Sequence, residues 1–253
     1  MKELQKRLFE SRKTECSAGC KYCFGKWENY TLFKENGIIE DNAIIYPNCD
    51  GNFFDEYFLE SVDKIKEIRA RGIVISISTK HVISDKQLLL IEEANKYLQN
   101  SNRGFIKLSI SFSCAESIFD IEPGTSLYND RIEQIRKIVK KDIPYVTIIK
   151  PILPFVKFDE YKRIIDDTIL YSPNYVLGDL YIDEKNAFYK QYIKGKYHIY
   201  YRTVSWNNNN WGVVESLDIK KRIVDYIEMK GGNAYQSDIE AVMNIRHGLF
   251  DEK

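Results

Sequence analysis

The chain alternates between short apolar runs, rich in β-branched residues, and longer charged segments in which apolar residues recur at helical spacing. This pattern is typical of repeated βα units that build a parallel sheet. A first short strand is expected to lead into Cys16. The further runs predict strands over residues 43–46, 73–78, 105–112, 145–152 and 176–182.

Between these strands, three segments predict amphipathic helices. Residues 54–70 place apolar side chains close to the spacing of one helical face, and residues 88–98 and 131–139 show the same pattern. The sequence therefore predicts an α/β fold with about six βα units. Barrels of parallel strands carry their active sites at the C-terminal ends of the strands, so the residues that follow each strand are the first candidates for a site.

Residues 184–253 are predicted to form a small aromatic-rich and helical extension packed on residues 1–183, within one domain overall. An asparagine run from Asn207 marks a loop or hairpin tip. The aromatic and basic residues around it could stack on flipped or single-stranded bases, but we favour a β-edge packed on the mouth of the fold. These residues are Tyr197, His198, Tyr200, Tyr201, Arg202, Trp206 and Trp211.

Two amphipathic segments close the chain, over residues 217–229 and 238–246, with Lys230, Gly231 and Gly232 between them. They predict a pair of packing helices. The alternative is a helix-turn-helix-like unit that docks on DNA, which the long turn and the unremarkable charge disfavour.

Composition narrows the class of protein. The 253 residues are enough for one large domain. Lysine plus arginine equals aspartate plus glutamate, so the net charge is zero and the total does not indicate nucleic acid, membrane or acidic partners. Without a membrane-length apolar run or a signal-peptide core, we predict a cytoplasmic protein. Five cysteines, an odd number, argue against a disulfide framework and suit a reducing compartment.

Three of these cysteines lie in the stretch CSAGCKYC, as Cys16, Cys20 and Cys23. A closed structural zinc site and an electron-transfer cluster each need four protein ligands. Three ligands in one loop would leave one iron of a four-iron cluster open to a substrate or cofactor. The alternative is a zinc site whose fourth ligand comes from Cys49, Cys114 or a histidine.

This spacing, with Tyr22 before the last cysteine, resembles the signature of the radical S-adenosylmethionine (SAM) enzymes. The resemblance implies a partial (β/α)6 barrel, a [4Fe-4S] cluster on the three cysteines, and SAM bound to the open iron. Reduction of the cluster, by a protein such as flavodoxin or ferredoxin, would then cleave SAM to a 5′-deoxyadenosyl radical. The cofactor supplies the difficult chemistry, and the protein orients it.

Polar residues follow the predicted strands. Asn48, Asp50 and Gly51 come after the second strand, where the resemblance implies contacts to the amino group of SAM, although these are also ordinary turn formers. Ser78 and Lys80 end the third strand. Alternation places Ser109, Ser111 and Ser113 on one face of the fourth strand. The ribose and carboxylate of SAM are candidate partners for these groups; the alternatives are a surface lysine and a serine face turned toward a covering helix.

The segment IEPGTSLYNDRIEQI sharpens the resemblance to the spore photoproduct lyase group within the superfamily. Glu122 and Arg131 are expected to pair and to pin this loop over the site, and Ser126 is predicted as a helix N-cap. The resemblance implies a lyase that repairs a thymine dimer. In it, Cys49 matches the cysteine that returns a hydrogen atom to the product radical, and Cys114 is the alternative donor.

Two other functions stay open at this stage. One is a radical SAM activase or a small-molecule or nucleotide-modifying enzyme. The other belongs to a different class, a non-catalytic iron-sulfur or zinc protein that binds or senses. The leading hypothesis is a radical SAM enzyme that acts on a nucleic-acid base, with DNA or a nucleotide as substrate and no membrane partner.

Overall fold

The computed structural model describes residues 16–23, 39–47, 52–54, 57–116, 118–203 and 210–250. Its strands are β1 Ile44–Ile45, β2 Val74–Thr79, β3 Phe105–Phe112, β4 Tyr145–Ile149, β5 Asn174–Leu177, β6 Tyr181–Ile182, β7 Ile199–Thr203, β8 Asn210–Val214 and β9 Asn233–Tyr235. Its helices are α1 Phe58–Glu67, α2 Asp85–Asn102, α3 Ile118–Ile121, α4 Tyr128–Val139, α5 Phe158–Thr168, α6 Leu217–Met229 and α7 Asp238–Phe250, with a π-helical turn at Tyr189–Ile193.

Six strands form one sheet in the order β1-β2-β3-β4-β5-β9. Each neighbouring pair is parallel. The α/β class with a parallel sheet is therefore confirmed, as a partial barrel: in the part of the chain that the structure describes, β1 and β9 are edges and the sheet does not close. The strand expected before Cys16 lies outside the described residues.

The sixth parallel strand comes from a place where the sequence predicts only a turn between helices. Gly231 has φ +80°, which favours glycine, and the chain then runs into β9 beside β5. A Cβ on Gly232 would lie 2.8 Å from Ile169 Cδ1 and 2.9 Å from the carbonyl oxygen of Pro173, so the chain can pass here only without a side chain. The C-terminal segment thus supplies part of the main sheet.

Most helices cover one face of the sheet. Helix α2 begins with a capping box, in which the Ser84 hydroxyl accepts the amide hydrogen of Gln87 and the Gln87 side chain accepts that of Ser84. Its apolar side packs on buried residues of β2 and β3 such as Ile77 and Ile106. Helix α5 was missed by the sequence prediction, although it buries Tyr161 and three further residues of its C-terminal half.

Helix α7 covers the opposite face. Its Val242 packs with Ile44 of β1, Val74 of β2 and Phe105 of β3. Its Ala241 packs with residues of β4 and β5. The predicted helix pair is present, but the second helix does more than pack on a finished barrel, because it closes the N-terminal half of the inner sheet face.

The aromatic segment forms the predicted hairpin. Strands β7 and β8 are antiparallel, with Thr203 opposite Asn210, and β8 also pairs with β6 to complete a three-stranded sheet. The asparagine-rich tip lies outside the described residues. None of the helices described is long and apolar enough to cross a membrane.

Candidate active site

The three motif cysteines lie in a loop, residues 16–23, which we call the cluster loop. Cys20 is buried, whereas Cys16 and Cys23 are half-buried. Gly19, between the first two cysteines, has φ +59°, and the amide of Cys23 donates to the carbonyl oxygen of Cys20 at 3.2 Å, so the chain also turns tightly between the second and third cysteines. The three thiols are therefore carried by one compact turn.

A second loop, residues 121–124, braces the cluster loop. Lys21 N donates to Ile121 O at 3.0 Å, and Gly124 N donates to Ala18 O at 3.0 Å. A Cβ on Gly124 would lie 2.0 Å from the carbonyl oxygen of Ser17, so only glycine allows the two backbones to approach this closely. This contact fixes the cluster loop against the chain that follows β3.

Glu122, in the bracing loop, is the centre of a buried polar group that we call the Glu122 hub. The hydroxyls of Tyr22 and Ser113 donate to its Oε1, the latter at 2.6 Å. Lys80 Nζ lies 2.8 Å from the same oxygen, and Arg131 Nη2 lies 3.2 Å from Oε2. The expected Glu122–Arg131 ion pair is present. One carboxylate thus joins the cluster loop, the ends of β2 and β3, and α4.

The two cations control the charge of this carboxylate. Burial alone would raise the pKa of Glu122, but Lys80 and then Arg131 oppose it and lower that pKa to about 2. Arg131 has no exposed side-chain surface. Its Nη1 donates to the carbonyl oxygen of Ser111 at 2.6 Å, and its guanidinium lies 4.9 Å from the ring centre of Phe112. Arg131 therefore neutralises Glu122 from the buried side of the carboxylate and faces no open space.

Lys80 reaches toward the open end of the sheet and keeps 15% of its side chain exposed. Besides Glu122, its Nζ contacts Ser111 Oγ at 3.1 Å and the carbonyl oxygen of Lys150 at 3.5 Å. Its ammonium also lies 5.9 Å from the ring centre of Tyr22. The cation of Lys80 therefore stands beside the cluster loop.

The predicted serine stripe lies on the same face of β3 as Lys107. Ser111 contacts Lys80, and Ser113 belongs to the Glu122 hub. The hydroxyl of Ser109 is buried, and it has no hydrogen-bond partner among the described residues. Ser78, paired with Ser109 on the neighbouring strand, is exposed although the residues on either side of it are buried. A polar opening therefore lies beside the C-terminal half of β2 and β3.

One local prediction is wrong. Ser126 does not cap α4, because the helix begins at Tyr128 after Leu127, without a side-chain cap. Its hydroxyl instead accepts the amide hydrogen of Val82 at 2.8 Å, and its own amide donates to Lys80 O at 3.2 Å. Ser126 thus ties the chain between the bracing loop and α4 to the end of β2. The sequence gives no sign of this stabilising contact, because Ser126 and Val82 are 44 residues apart.

The donor set of the cluster loop fits an iron-sulfur cluster. Among the described residues, no three histidine, cysteine or acidic side chains converge on a point where they could hold a single metal ion. Cysteines that bind a cluster ligate different irons, so this does not conflict with a cluster. Burial raises the pKa of the Cys20 thiol to about 11, and a metal would have to displace its proton. Soft thiolates carried by one compact turn are suited to iron and sulfide.

The structure describes only some of the predicted site residues. Four of them lie outside the described residues: Asn48, Cys49, Asp50 and Gly51. Cys114, the alternative hydrogen donor, is fully buried, and Ser113 Oγ lies 3.8 Å from its sulfur. Burial raises the pKa of its thiol to about 12, so the thiol stays protonated. Cys114 lies in the buried segment that directly follows β3.

Sequence reasoning missed two groups near the site. Lys150 directly follows β4 and contributes its carbonyl oxygen to Lys80. Glu160 of α5 accepts the amide hydrogens of Ala115 at 2.9 Å and Glu116 at 2.8 Å, which orders the chain after β3. The predicted strand over residues 145–152 places Lys150 inside the strand, whereas the observed strand ends at Ile149. Nothing in the local sequence marks Glu160.

The basic side chains of the aromatic hairpin contact acidic side chains of the same chain. Arg202 Nη1 lies 3.2 Å from Asp179 Oδ2, and His198 Nδ1 lies 3.0 Å from Glu215. Trp211 is 8% exposed and packs edge-on against Tyr181. These contacts favour the β-edge interpretation over a base-stacking surface, although Tyr201 remains 57% exposed. Trp206 lies outside the described residues.

No protein-family model matches the chain, and no curated protein matches it by sequence. Solved structures do match. A spore photoproduct lyase complexed with dinucleoside spore photoproduct has a TM-score of 0.53 and 13% identity over 77% of this chain and 60% of that one. A lyase mutant with bound SAM and the same dinucleoside has a TM-score of 0.51, at 13% identity and the same coverage.

Streptococcus suis SuiB bound to S-adenosylmethionine has a TM-score of 0.51 and 12% identity, over 87% of this chain and 44% of that one. The match to the lyase structures covers 60% of the lyase chain. Both proteins are radical SAM enzymes. At these identities the likeness concerns the fold, and the resemblance inferred from the sequence is confirmed at that level: the chain has the partial-barrel fold of the radical SAM enzymes.

Proposed function

We propose that this protein is a radical SAM enzyme that cleaves SAM reductively and acts on a nucleic-acid base, most like spore photoproduct lyase. The observation that carries the proposal is the position of the cluster loop. It is braced at the C-terminal edge of a parallel sheet, beside a partly exposed lysine and a row of serines. A structural zinc knot would not need this edge or these polar neighbours.

Different residues would bind the cluster and SAM. Cys16, Cys20 and Cys23 would hold the [4Fe-4S] cluster, and the segment with Asn48, Asp50 and Gly51 would receive the amino group of SAM. When bound, the cluster and SAM supply the 5′-deoxyadenosyl radical. A reductant protein such as flavodoxin or ferredoxin delivers the electron.

The remaining site residues receive the rest of SAM. The carboxylate of SAM pairs with Lys80, whose ammonium is the exposed cation beside the cluster loop. Ser78 and Ser111 line the opening for hydroxyl groups of the ribose. The buried hydroxyl of Ser109, which has no partner among the described residues, lies on the same face of β3 and favours a polar ligand beside it. Tyr22, Glu122 and Arg131 act from underneath, by holding Lys80 and the cluster loop in place.

The nucleic-acid substrate is supported by the fold likeness to a lyase that binds dinucleoside spore photoproduct and by the EPGTS segment of the sequence. A hydrogen donor is part of this chemistry. Cys114 retains its proton but is fully enclosed, so Cys49, after the second predicted strand, is the better candidate.

Anaerobic reconstitution with iron and sulfide, followed by reduction in the presence of SAM, tests the class of enzyme. We expect 5′-deoxyadenosine, and with dinucleoside spore photoproduct as substrate we expect two thymidines. A loaded cluster without SAM cleavage under strong reductant would refute the enzyme class. SAM cleavage without repair of the dinucleoside would retain the class and refute the lesion.

A further inference from the structure

The ammonium of Lys80 faces three acceptors of its own chain. Glu122 Oε1 lies 2.8 Å from Nζ, Ser111 Oγ lies 3.1 Å away, and the carbonyl oxygen of Lys150 lies 3.5 Å away. An ammonium has three hydrogens to donate, so these three acceptors engage all of them. A ligand carboxylate that binds Lys80 must therefore displace one acceptor.

Glu122 is the acceptor that can best release Lys80. It keeps two hydroxyl donors, Tyr22 and Ser113, and it keeps Arg131 at 3.2 Å. Because Arg131 has no exposed side-chain surface, it stays with Glu122 whatever binds in the opening. A buried carboxylate needs a partner, and this one has two cations where one is sufficient for its charge.

We propose that Lys80 exchanges carboxylates. Glu122 holds the ammonium in the free protein, and the carboxylate of SAM takes it over on binding, while Arg131 keeps Glu122 paired. This inference rests on the proposed function, because it takes SAM as the ligand of the site. Glu122 is then a positioning residue with a cost for affinity, since it competes with SAM for the same ammonium.

The exchange predicts an effect of definite sign. Removing the charge of Glu122 removes the competitor, so the carboxylate of SAM should be bound more tightly. A Glu122 that serves only as a scaffold for Lys80 predicts the opposite, because the ammonium would lose its place. The two roles therefore differ in the direction of one measurement.

The measurement is equilibrium binding of SAM and of decarboxylated SAM to the cluster-loaded protein without reductant, so that neither ligand is cleaved. The two ligands differ in one carboxylate, and the ratio of their affinities is unaffected by a folding defect that lowers both. In Glu122→Gln we expect the preference for SAM to increase roughly threefold or more. Lys80→Met should lower the preference, and adding Glu122→Gln to Lys80→Met should change nothing further.

An unchanged or reduced preference in Glu122→Gln would overturn the exchange. If that variant does not fold, the double variant Glu122→Gln/Arg131→Met leaves no unpaired buried charge and should show the same increase, so that its failure to do so counts equally against the exchange. A wild-type protein that loads its cluster and binds neither ligand would refute the proposed function instead, which separates the two failures.

Discussion

Two lysine–carboxylate pairs lie along the inner face of the sheet, at opposite ends of it, and they are built in opposite ways. At the N-terminal end, Lys107 has no exposed side-chain surface, while Asp238 of α7 keeps 17%. At the C-terminal end, Glu122 has none, while Lys80 keeps 15%. The charge that meets the surroundings is thus negative at one end and positive at the other.

The difference separates structure from binding. Lys107 and Ser111 are four residues apart on β3, or about 13 Å, and Ser111 already contacts Lys80. At the first end, burial would raise the pKa of Asp238, but Lys107 lowers it and the pair anchors the start of α7. At the second end, an accessible cation suits an anionic ligand. The Lys107–Asp238 pair therefore stabilises the packing of α7 on the inner face, and the Lys80–Glu122 pair offers a cation for a ligand.

The largest expected effect concerns the C-terminal end of the sheet, where Lys80 and the cluster loop lie. Replacing Cys16, Cys20 or Cys23 by alanine should abolish SAM cleavage and remove most of the iron, because we propose each thiolate as a cluster ligand. Iron and sulfide analysis with a 5′-deoxyadenosine assay measures this. Cys114→Ala is the matched control and should keep its iron. Stoichiometric zinc held by four residues in protein purified without oxygen would contradict the prediction.

Changes at the N-terminal end of the sheet, at the Lys107–Asp238 pair, should alter the stability of the fold. Asp238→Ala leaves Lys107 buried without its partner and should lower the free energy of unfolding by about 3–5 kcal/mol. Denaturant unfolding measures the change. Lys107→Met combined with Asp238→Ala should recover most of the loss, and the folded protein should bind SAM normally. A SAM defect in the recovered double variant would show that the two ends are not separate.

Lys80→Ala should produce the reverse pattern. Loss of one charge-assisted hydrogen bond should weaken SAM binding by about 2 kcal/mol, or roughly thirtyfold, while the cluster still assembles. Binding titration and iron analysis of the same sample test both parts. Unchanged SAM affinity would make Lys80 a surface residue with no part in the site.

Gly124→Ala tests the brace between the two loops. A new Cβ would lie 2.0 Å from Ser17 O, so the cluster loop must shift, at a cost of about 1–2 kcal/mol. We expect reduced iron loading with a normally folded sheet, measured by iron analysis and circular dichroism. Gly248→Ala in α7 meets nothing within 4 Å and is the control. Full iron loading in Gly124→Ala would mean that the brace is dispensable.

The smallest effect on SAM cleavage is expected for Cys49→Ala. The variant should keep its cluster and cleave SAM at the wild-type rate, because a hydrogen donor acts only after the radical has formed. With dinucleoside spore photoproduct it should release aberrant adducts or stall after fragmentation, which chromatography of the products would reveal. A normal yield of normal product would exclude Cys49 as the donor.

How far the sequence predicts this fold depends on the length of each signal. Strand β3 and helix α6 have the predicted bounds, because long apolar patterns leave little choice. Strand β9 has three residues, NAY, without an apolar run. The sequence shows that α7 is amphipathic, but not that it crosses the inner face, since its contacts lie far away along the chain.

The candidate site divides in the same way. Lys80, Ser111, Glu122 and Arg131 could be named because they follow strands or belong to a recognisable segment. Their arrangement could not be predicted: Glu122 is the centre, and Arg131 is enclosed. Which member of a charged pair is buried depends on packing from several elements, and no local pattern records it.

Helix α7 also has a consequence for how the molecule folds. Its contacts to the sheet are far apart along the chain: Lys107 donates to Asp238 across 131 residues, and Arg246 donates to Asn42 across 204 residues. Closing such long loops costs chain entropy before any contact repays it, and folding rates fall as contacts become less local. We expect the sheet to form before α7 docks on it. Until then, water contacts the inner face, and the apolar strand residues that α7 covers stay exposed. During that interval, refolding should bind hydrophobic dyes and aggregate more readily as the protein concentration rises.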